Sequence, residues 1–142
     1  MADPITILIV DDHDVVRQGV HAYLDALPDF VVVAEASSGE AAIPLALEHV
    51  PDVALMDLVM PGMDGVETTR QLKTVSPRTQ IVVLTSYHQD EHIFPALQAG
   101  AISYVLKDVK MEDLAGAVRR AAHGEATLHP RVAARVIQEF HG

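Results

Sequence analysis

The sequence predicts an α/β domain built as a doubly wound, five-stranded parallel sheet with one extra helix at the C-terminal end. Three observations predict it. Five short apolar runs rich in β-branched residues recur along the 142 residues. They are continuous rather than alternating, which suits strands covered on both faces. Each is followed by a stretch with apolar residues at helical spacing, and strand–helix alternation implies a parallel sheet with right-handed crossovers.

The first run, Ile5 to Val10, leads into Asp11-Asp12-His13-Asp14. Asp14 is expected to N-cap a first helix whose stripe is Val15, Val16, Gly19, Val20, Tyr23, Leu24 and Leu27. Pro28-Asp29 ends it, and Phe30 to Ala36 is the second strand. Ser37-Ser38-Gly39-Glu40 opens a second helix. Pro44 inside it predicts a kink or a late start, because proline removes an amide donor and crowds the preceding turn.

The third strand, Val53 to Met56, presents Asp57 at its carboxyl end, before the turn Met60-Pro61-Gly62-Met63-Asp64-Gly65. A third helix is expected from near Asp64 to near Val75. Gln80 to Thr85 is the fourth strand, and a fourth helix is expected from about Asp90 to Ala99, with Gly100 as its left-handed cap. Pro95 predicts that this helix is short, kinked or mobile. Ile102 to Leu106 is the fifth strand, ending at Lys107. The fifth helix turns Leu114, Ala117, Val118 and Ala121 inward and stops at Gly124. Pro130 starts a last amphipathic helix carrying Val132, Ala133, Val136, Ile137 and Phe140.

Composition narrows the function. Apolar residues make up 49% of the chain, against disorder, while aromatics are only 4%, so the core is aliphatic. Twenty acidic against ten basic residues give a formal charge of −10, which argues against a direct grip on nucleic acid and suits a cation site or a basic partner surface. The absence of cysteine excludes disulfides and thiol chemistry and fits the cytoplasm. No signal peptide is legible, and no apolar run approaches the ~20 residues that span a bilayer.

In open parallel sheets ligands bind outside the carboxyl ends of the strands. Those ends supply Asp11, Asp12, Asp57, Thr85 and Lys107. Three carboxylates so placed repel one another, which a divalent cation relieves; few, hard oxygen ligands favour Mg2+. Lys107 adds the positive charge that a phosphate needs, and Thr85 a hydroxyl. Alternative duties are helix capping for the acids, ion pairing for Lys107 and plain strand packing for Thr85. A carboxylate beside Mg2+, a lysine and a hydroxyl can act as a nucleophile toward phosphorus, giving an aspartyl phosphate on Asp57.

From about Ile5 to Gly124 this pattern resembles the receiver domain of bacterial response regulators. The resemblance is carried by the acidic pair after strand one, Asp57 before Met60-Pro61-Gly62-Met63-Asp64-Gly65, Thr85 after strand four and Lys107 after strand five. It implies a flavodoxin-like sheet of order 2-1-3-4-5. It also implies Asp57 as phosphoacceptor, Mg2+ bound by Asp12, Asp57 and the Val59 carbonyl and through water by Asp11, and Thr85 and Lys107 on the phosphoryl group. Tyr104 matches the family's switch aromatic; otherwise it is a strand aromatic packed under the fourth helix.

Ala96 to Asp108 and Gly124 to Ala134 are similar to the NarL/FixJ (LuxR-type) group. That similarity implies a receiver at 1–124, then a linker and helix at 125–142 leading toward a helix-turn-helix DNA-binding domain. The implied partner is a sensor histidine kinase and the implied readout is homodimerisation through the first and fifth helices, so that transcription is controlled. Such a chain is a phosphoacceptor that assists its own phosphorylation and dephosphorylation rather than an enzyme. One departure from many receivers is Asp108, where they carry a proline after the lysine. The alternative is a stand-alone phosphorylatable adaptor that binds a target protein.

Other aspartyl-phosphate or phosphate-binding readings fit less well. A haloacid-dehalogenase phosphatase wants an acid where Val59 stands, and a flavin mononucleotide carrier wants a Ser, Thr and Gly loop where Asp11 to Asp14 stand. His88-Gln-Asp-Glu91-His92 matches a short metallopeptidase pattern, but His88 is expected to precede the helix, off the face of His92.

Overall fold

The computed structural model describes residues 3–86 and 91–141. Eleven named elements follow in order: β1 (Ile5–Val10), α1 (Asp14–Asp25), β2 (Phe30–Ala36), α2 (Gly39–His49), β3 (Val53–Met56), α3 (Gly65–Val75), β4 (Gln80–Thr85), α4 (Ile93–Ala99), β5 (Ala101–Leu106), α5 (Met111–Ala122) and α6 (Pro130–His141). The sheet is parallel, in the order β2-β1-β3-β4-β5. The order reverses between β1 and β3, where a crevice opens at the carboxyl ends.

The strands divide two cores by simple alternation. Leu8, Val10, Ala54, Met56, Ile81, Val83, Tyr104 and Leu106 face one side and meet Ala42 and Ala46 of α2, Leu72 of α3, Ile93 and Ala96 of α4 and Val132 of α6. Ile7, Ile9, Val53, Leu55, Val82, Leu84 and Val105 face the other side, against Val20 and Leu24 of α1 and Leu114, Ala117, Val118 and Ala121 of α5. Burial on both faces explains why the interior strand β3 is wholly apolar, whereas β2 at the sheet edge carries Glu35 and the exposed Val31.

Four of the five strands lie as the sequence predicts, and β5 begins one residue early. Helix starts and interiors differ more. The N-cap of α1 is His13, whose side chain makes no capping bond, and Asp14 is the first helical residue instead. Three of the seven residues of the expected α1 stripe, Val15, Val16 and Gly19, are exposed, Val15 at 85%. The late start allowed for α2 is not found: Ser38 caps Ala41 N–H at 3.1 Å and Pro44 lies inside the helix. Asp64 does cap α3, accepting from Glu67 N–H at 2.9 Å.

The fourth helix is short, at seven residues. Pro95 is its third residue, where the missing amide would have had no helical partner. Asp90 lies outside the described residues, as does His88 of the metallopeptidase-like pattern. Gly100 closes the helix at φ +121°, a conformation open to glycine and costly for other residues.

The segment after α5 docks onto the sheet. Tyr104 N–H donates to Thr127 O at 3.0 Å and His129 N–H to Tyr104 O at 3.3 Å, so Leu128 forms a parallel bridge with β5. α6 then packs on α4 through Val132 and Val136, leaving Ile137 and Phe140 exposed.

Candidate functional site

The backbone ladder runs one residue past several strands and thereby fixes the chemistry-bearing groups. Asp11 N–H donates to Ala36 O at 3.1 Å, Asp57 N–H to Val10 O at 3.0 Å and Lys107 N–H to Thr85 O at 2.7 Å. Each of these side chains therefore leaves the sheet at a fixed point on its carboxyl edge.

Below Asp57 the chain is packed with no room to spare. A Cβ on Gly65 would stand 2.3 Å from the Asp57 carbonyl oxygen and 2.5 Å from Leu58 Cα. Gly65 N–H donates to Leu58 O at 2.8 Å. The start of α3 is thus pressed directly against the backbone that carries Asp57.

At the edge, Lys107 Nζ lies 3.3 Å from Asp57 Oδ2 and 3.6 Å from Asp11 Oδ2. His13 Nδ1 lies 3.0 Å from Asp11 Oδ1, 3.4 Å from Asp12 Oδ1 and 3.5 Å from Asp57 Oδ2. Asp11 and Asp57 are buried. Burial above all, and then the neighbouring Asp11 charge, push the Asp57 carboxyl up to about 6, while Lys107 and His13 pull the other way.

Asp12 Oδ1 and Asp57 Oδ2 are buried without a hydrogen-bond partner among the described residues. Donor atoms of Asp11, Asp12, His13 and Asp57 lie within 4.8 Å of one another. Orphaned carboxylate oxygens in such a group fit a hard divalent cation. Above them opens a cleft of about 570 Å³, lined by Asp12, His13, Asp57, Val59, Met60, Pro61, Ser86 and Lys107.

Residues 7–119 match the family described as the response regulator receiver domain. The chain belongs to that family. The receiver domain is 47% identical over 136 residues to the transcriptional regulatory protein LiaR of Bacillus subtilis, covering 96% of this chain and 64% of LiaR. It is 45% identical over 128 residues to the response regulator protein VraR of Staphylococcus aureus, covering 90% of this chain and 61% of VraR. Among solved structures it is similar to a LuxR-family two-component response regulator from Aurantimonas sp. SI85-9A1, at 31% identity and a TM-score of 0.89, covering 99% of this chain and all of that one. The resemblance to the LuxR/NarL-type group therefore holds, and the chain spans a little under two thirds of the length of these two curated relatives.

Within the receiver domain, the structure brings Asp11, Asp12, Asp57 and Lys107 together and puts Val59, 46% exposed, on the cleft wall. Thr85 sits beside them at the end of β4, fully buried, its hydroxyl unpartnered among the described residues. Its neighbour Ser86, not Thr85, lines the cleft. Tyr104 is buried on the sheet face covered by α4 and α6. No helix of the described residues is long and apolar enough to cross a membrane.

The capping argument for the receiver domain's acidic loop needs correction. Asp11, not Asp14, supplies the local acceptor, taking His13 N–H at 2.8 Å. Asp14 instead pairs with Arg17 at 2.8 Å. An acid two residues before the amide closes a tight turn, which the first helical position cannot do.

Three residues escape the sequence argument. Arg17 donates to the Asp11 carbonyl at 2.7 Å while paired with Asp14 and, at 2.9 Å, with Glu35 of β2, so it pins the loop from below. Its helical spacing from Asp14 was a legible signal; its reach to Glu35 was not. Gly65 is legible only as a turn residue. His13 had a signal, an imidazole in a run of carboxylates at a strand end.

Proposed function

We propose that this receiver domain is a phosphorylation switch in which Asp57 accepts a phosphoryl group from a sensor histidine kinase, and that the whole protein thereby controls transcription. One observation carries the proposal: Asp57 Oδ2 is buried at the floor of an open cleft, without a hydrogen bond among the described residues, 3.3 Å from Lys107. A structural acid at such a position would be hydrogen-bonded. Here the oxygen faces the cleft with the Lys107 ammonium at 3.3 Å and the His13 ring at 3.5 Å beside it, the setting of an acid kept for chemistry.

The residues assigned to Mg2+ are Asp12, Asp57 and the Val59 carbonyl, with Asp11 acting through water. When bound, the cation offsets the repulsion among the carboxylates and the charge on the phosphoryl oxygens. Asp57 supplies the oxygen that bonds to phosphorus as the donor's N–P bond breaks, and the donor imidazole leaves with that electron pair. Lys107 neutralises charge on a phosphoryl oxygen, and Thr85 turns its hydroxyl toward another.

Tyr104 then follows Thr85. Both are buried on adjacent strands, with Thr85 paired to Leu106, two register positions beyond the Val83–Tyr104 pair. The phosphoryl group adds charge and acceptor oxygens that favour one of two packings of the α4–β5 face. The receiver unit is assigned to residues 1–124, and 125–142 to the connector and helix through which the change passes. Dimerisation is assigned to α1 and α5, whose groove includes the exposed Val15 and Val16. DNA contact is assigned to a further domain of the helix-turn-helix type. The cytoplasm is the compartment that suits these roles.

Intact mass after incubation with Mg2+ and a small phosphodonor tests the proposal. Wild type gains one phosphoryl group and Asp57→Asn gains none. Equal labelling of the two would refute Asp57 as the acceptor.

A further inference from the structure

We infer that His13 is a direct metal ligand of this receiver domain and shifts the site's cation preference from Mg2+ toward Mn2+. The inference rests on the metal site proposed above and adds a donor to it.

The spacing is the first argument. In an octahedral site with donors about 2.1 Å from the metal, neighbouring donors stand roughly 3 Å apart. His13 Nδ1 lies 3.0, 3.4 and 3.5 Å from oxygens of Asp11, Asp12 and Asp57. The 3.0 Å contact is a hydrogen bond to Asp11, but the separations from Asp12 and Asp57 place Nδ1 within reach of a cation those two share, beside Lys107 Nζ at 3.4 Å, with the four groups within 4.8 Å of one another.

The second argument is placement. The His13 side chain is 58% exposed, so packing does not force the ring onto the carboxylates. What holds it there is polar: its own N–H bonds to Asp11 Oδ1 at 2.8 Å, and the ring then turns its Nδ1 back into the cluster. Two of the carboxylate oxygens it faces, Asp12 Oδ1 and Asp57 Oδ2, are buried and have no hydrogen bond among the described residues. One ring nitrogen donates to at most one oxygen, so the imidazole leaves these two short of a partner that a cation would supply.

The third argument is chemical. Mg2+ takes hard oxygen ligands and keeps several waters. An imidazole in the set raises affinity for first-row transition cations far more than for Mg2+. Its deletion should therefore separate two cations that a purely carboxylate site treats alike.

The test is calorimetric titration of wild type, His13→Ala and the bulkier His13→Gln with Mg2+ and with Mn2+. Pulsed electron paramagnetic resonance of the Mn2+-loaded samples accompanies it. Both variants should lose about tenfold or more in Mn2+ affinity and less than about threefold for Mg2+. Wild type should show modulation from a directly bound nitrogen that both variants lack. Mn2+ bound by wild type without nitrogen modulation would overturn His13 as a ligand and leave the carboxylate site standing. Equal or tighter Mn2+ binding by the variants would do the same, since it would make His13 an occupant that the metal displaces. Failure of wild type to bind either cation would instead remove the metal site itself. Circular dichroism of the variants separates loss of ligand from loss of fold.

Discussion

Lys107 Nζ lies 3.3 Å from Asp57 Oδ2, yet the Asp57 carboxyl is still pushed up to about 6. Burial and the Asp11 charge outweigh the lysine. The folded protein therefore holds a proton on Asp57 in a range where the unfolded chain, near 3.8, has released it.

That sign predicts a pH dependence. Between pH ~4 and ~6 the folded state binds more protons at this site, so its contribution to stability is lost as pH rises through that window. Asp57→Asn should flatten this part of the curve and stabilise the metal-free protein near pH 7 by about 1–2 kcal/mol. Urea unfolding of both proteins in chelator across that range measures it. Parallel curves would show that the carboxyl is not destabilised by its surroundings.

Thr85 supplies a second prediction. Its hydroxyl is buried with no partner among the described residues. Thr85→Val keeps the shape and removes the orphan, so stability should stay level or rise by about 1 kcal/mol. The response to phosphorylation should fall at the same time. A clear loss of stability would reveal a partner for that hydroxyl.

Gly65 is the most constrained position beneath the site. Gly65→Ala places a methyl group against backbone atoms of Asp57 and Leu58 that cannot give way singly. It should cost about 3 kcal/mol or more. Phosphoryl uptake should also fall in protein that remains folded, although Asp57 is intact. Thermal melts and mass labelling of the same sample report the two effects.

Val50 closes α2 at φ 43°, a left-handed conformation that a β-branched side chain adopts at a cost, and it is 52% exposed. Val50→Gly should therefore raise stability by about 0.5–1 kcal/mol, the relief of strain exceeding the added chain freedom. A drop in denaturation midpoint would mean that the exposed Val50 methyls matter more than its backbone.

The strands were legible because their burial on both faces leaves a mark on every residue, as in Ile5 to Val10. The site was legible because its groups sit at the ends of those strands or one to two residues past them. What the sequence left hidden depends on approach between distant segments. Nothing near Gly65 announces that Asp57 will press on it, and nothing near Arg17 announces Glu35. Helix starts were the weak point: the preference of aspartate for caps pointed to Asp14, but Asp11 reaches the His13 amide first.

The docked segment at Tyr104 also decides how this protein meets its neighbours in a concentrated solution. Open sheet borders invite strands from other molecules. At β5 that invitation is withdrawn where Leu128 already bridges to Tyr104. At β2 no described strand lies beyond Phe30 to Ala36, and Val31 is 39% exposed there. If copies of this chain aggregate by sheet extension, growth begins at β2, and a charge placed at Val31 is the change that would slow it.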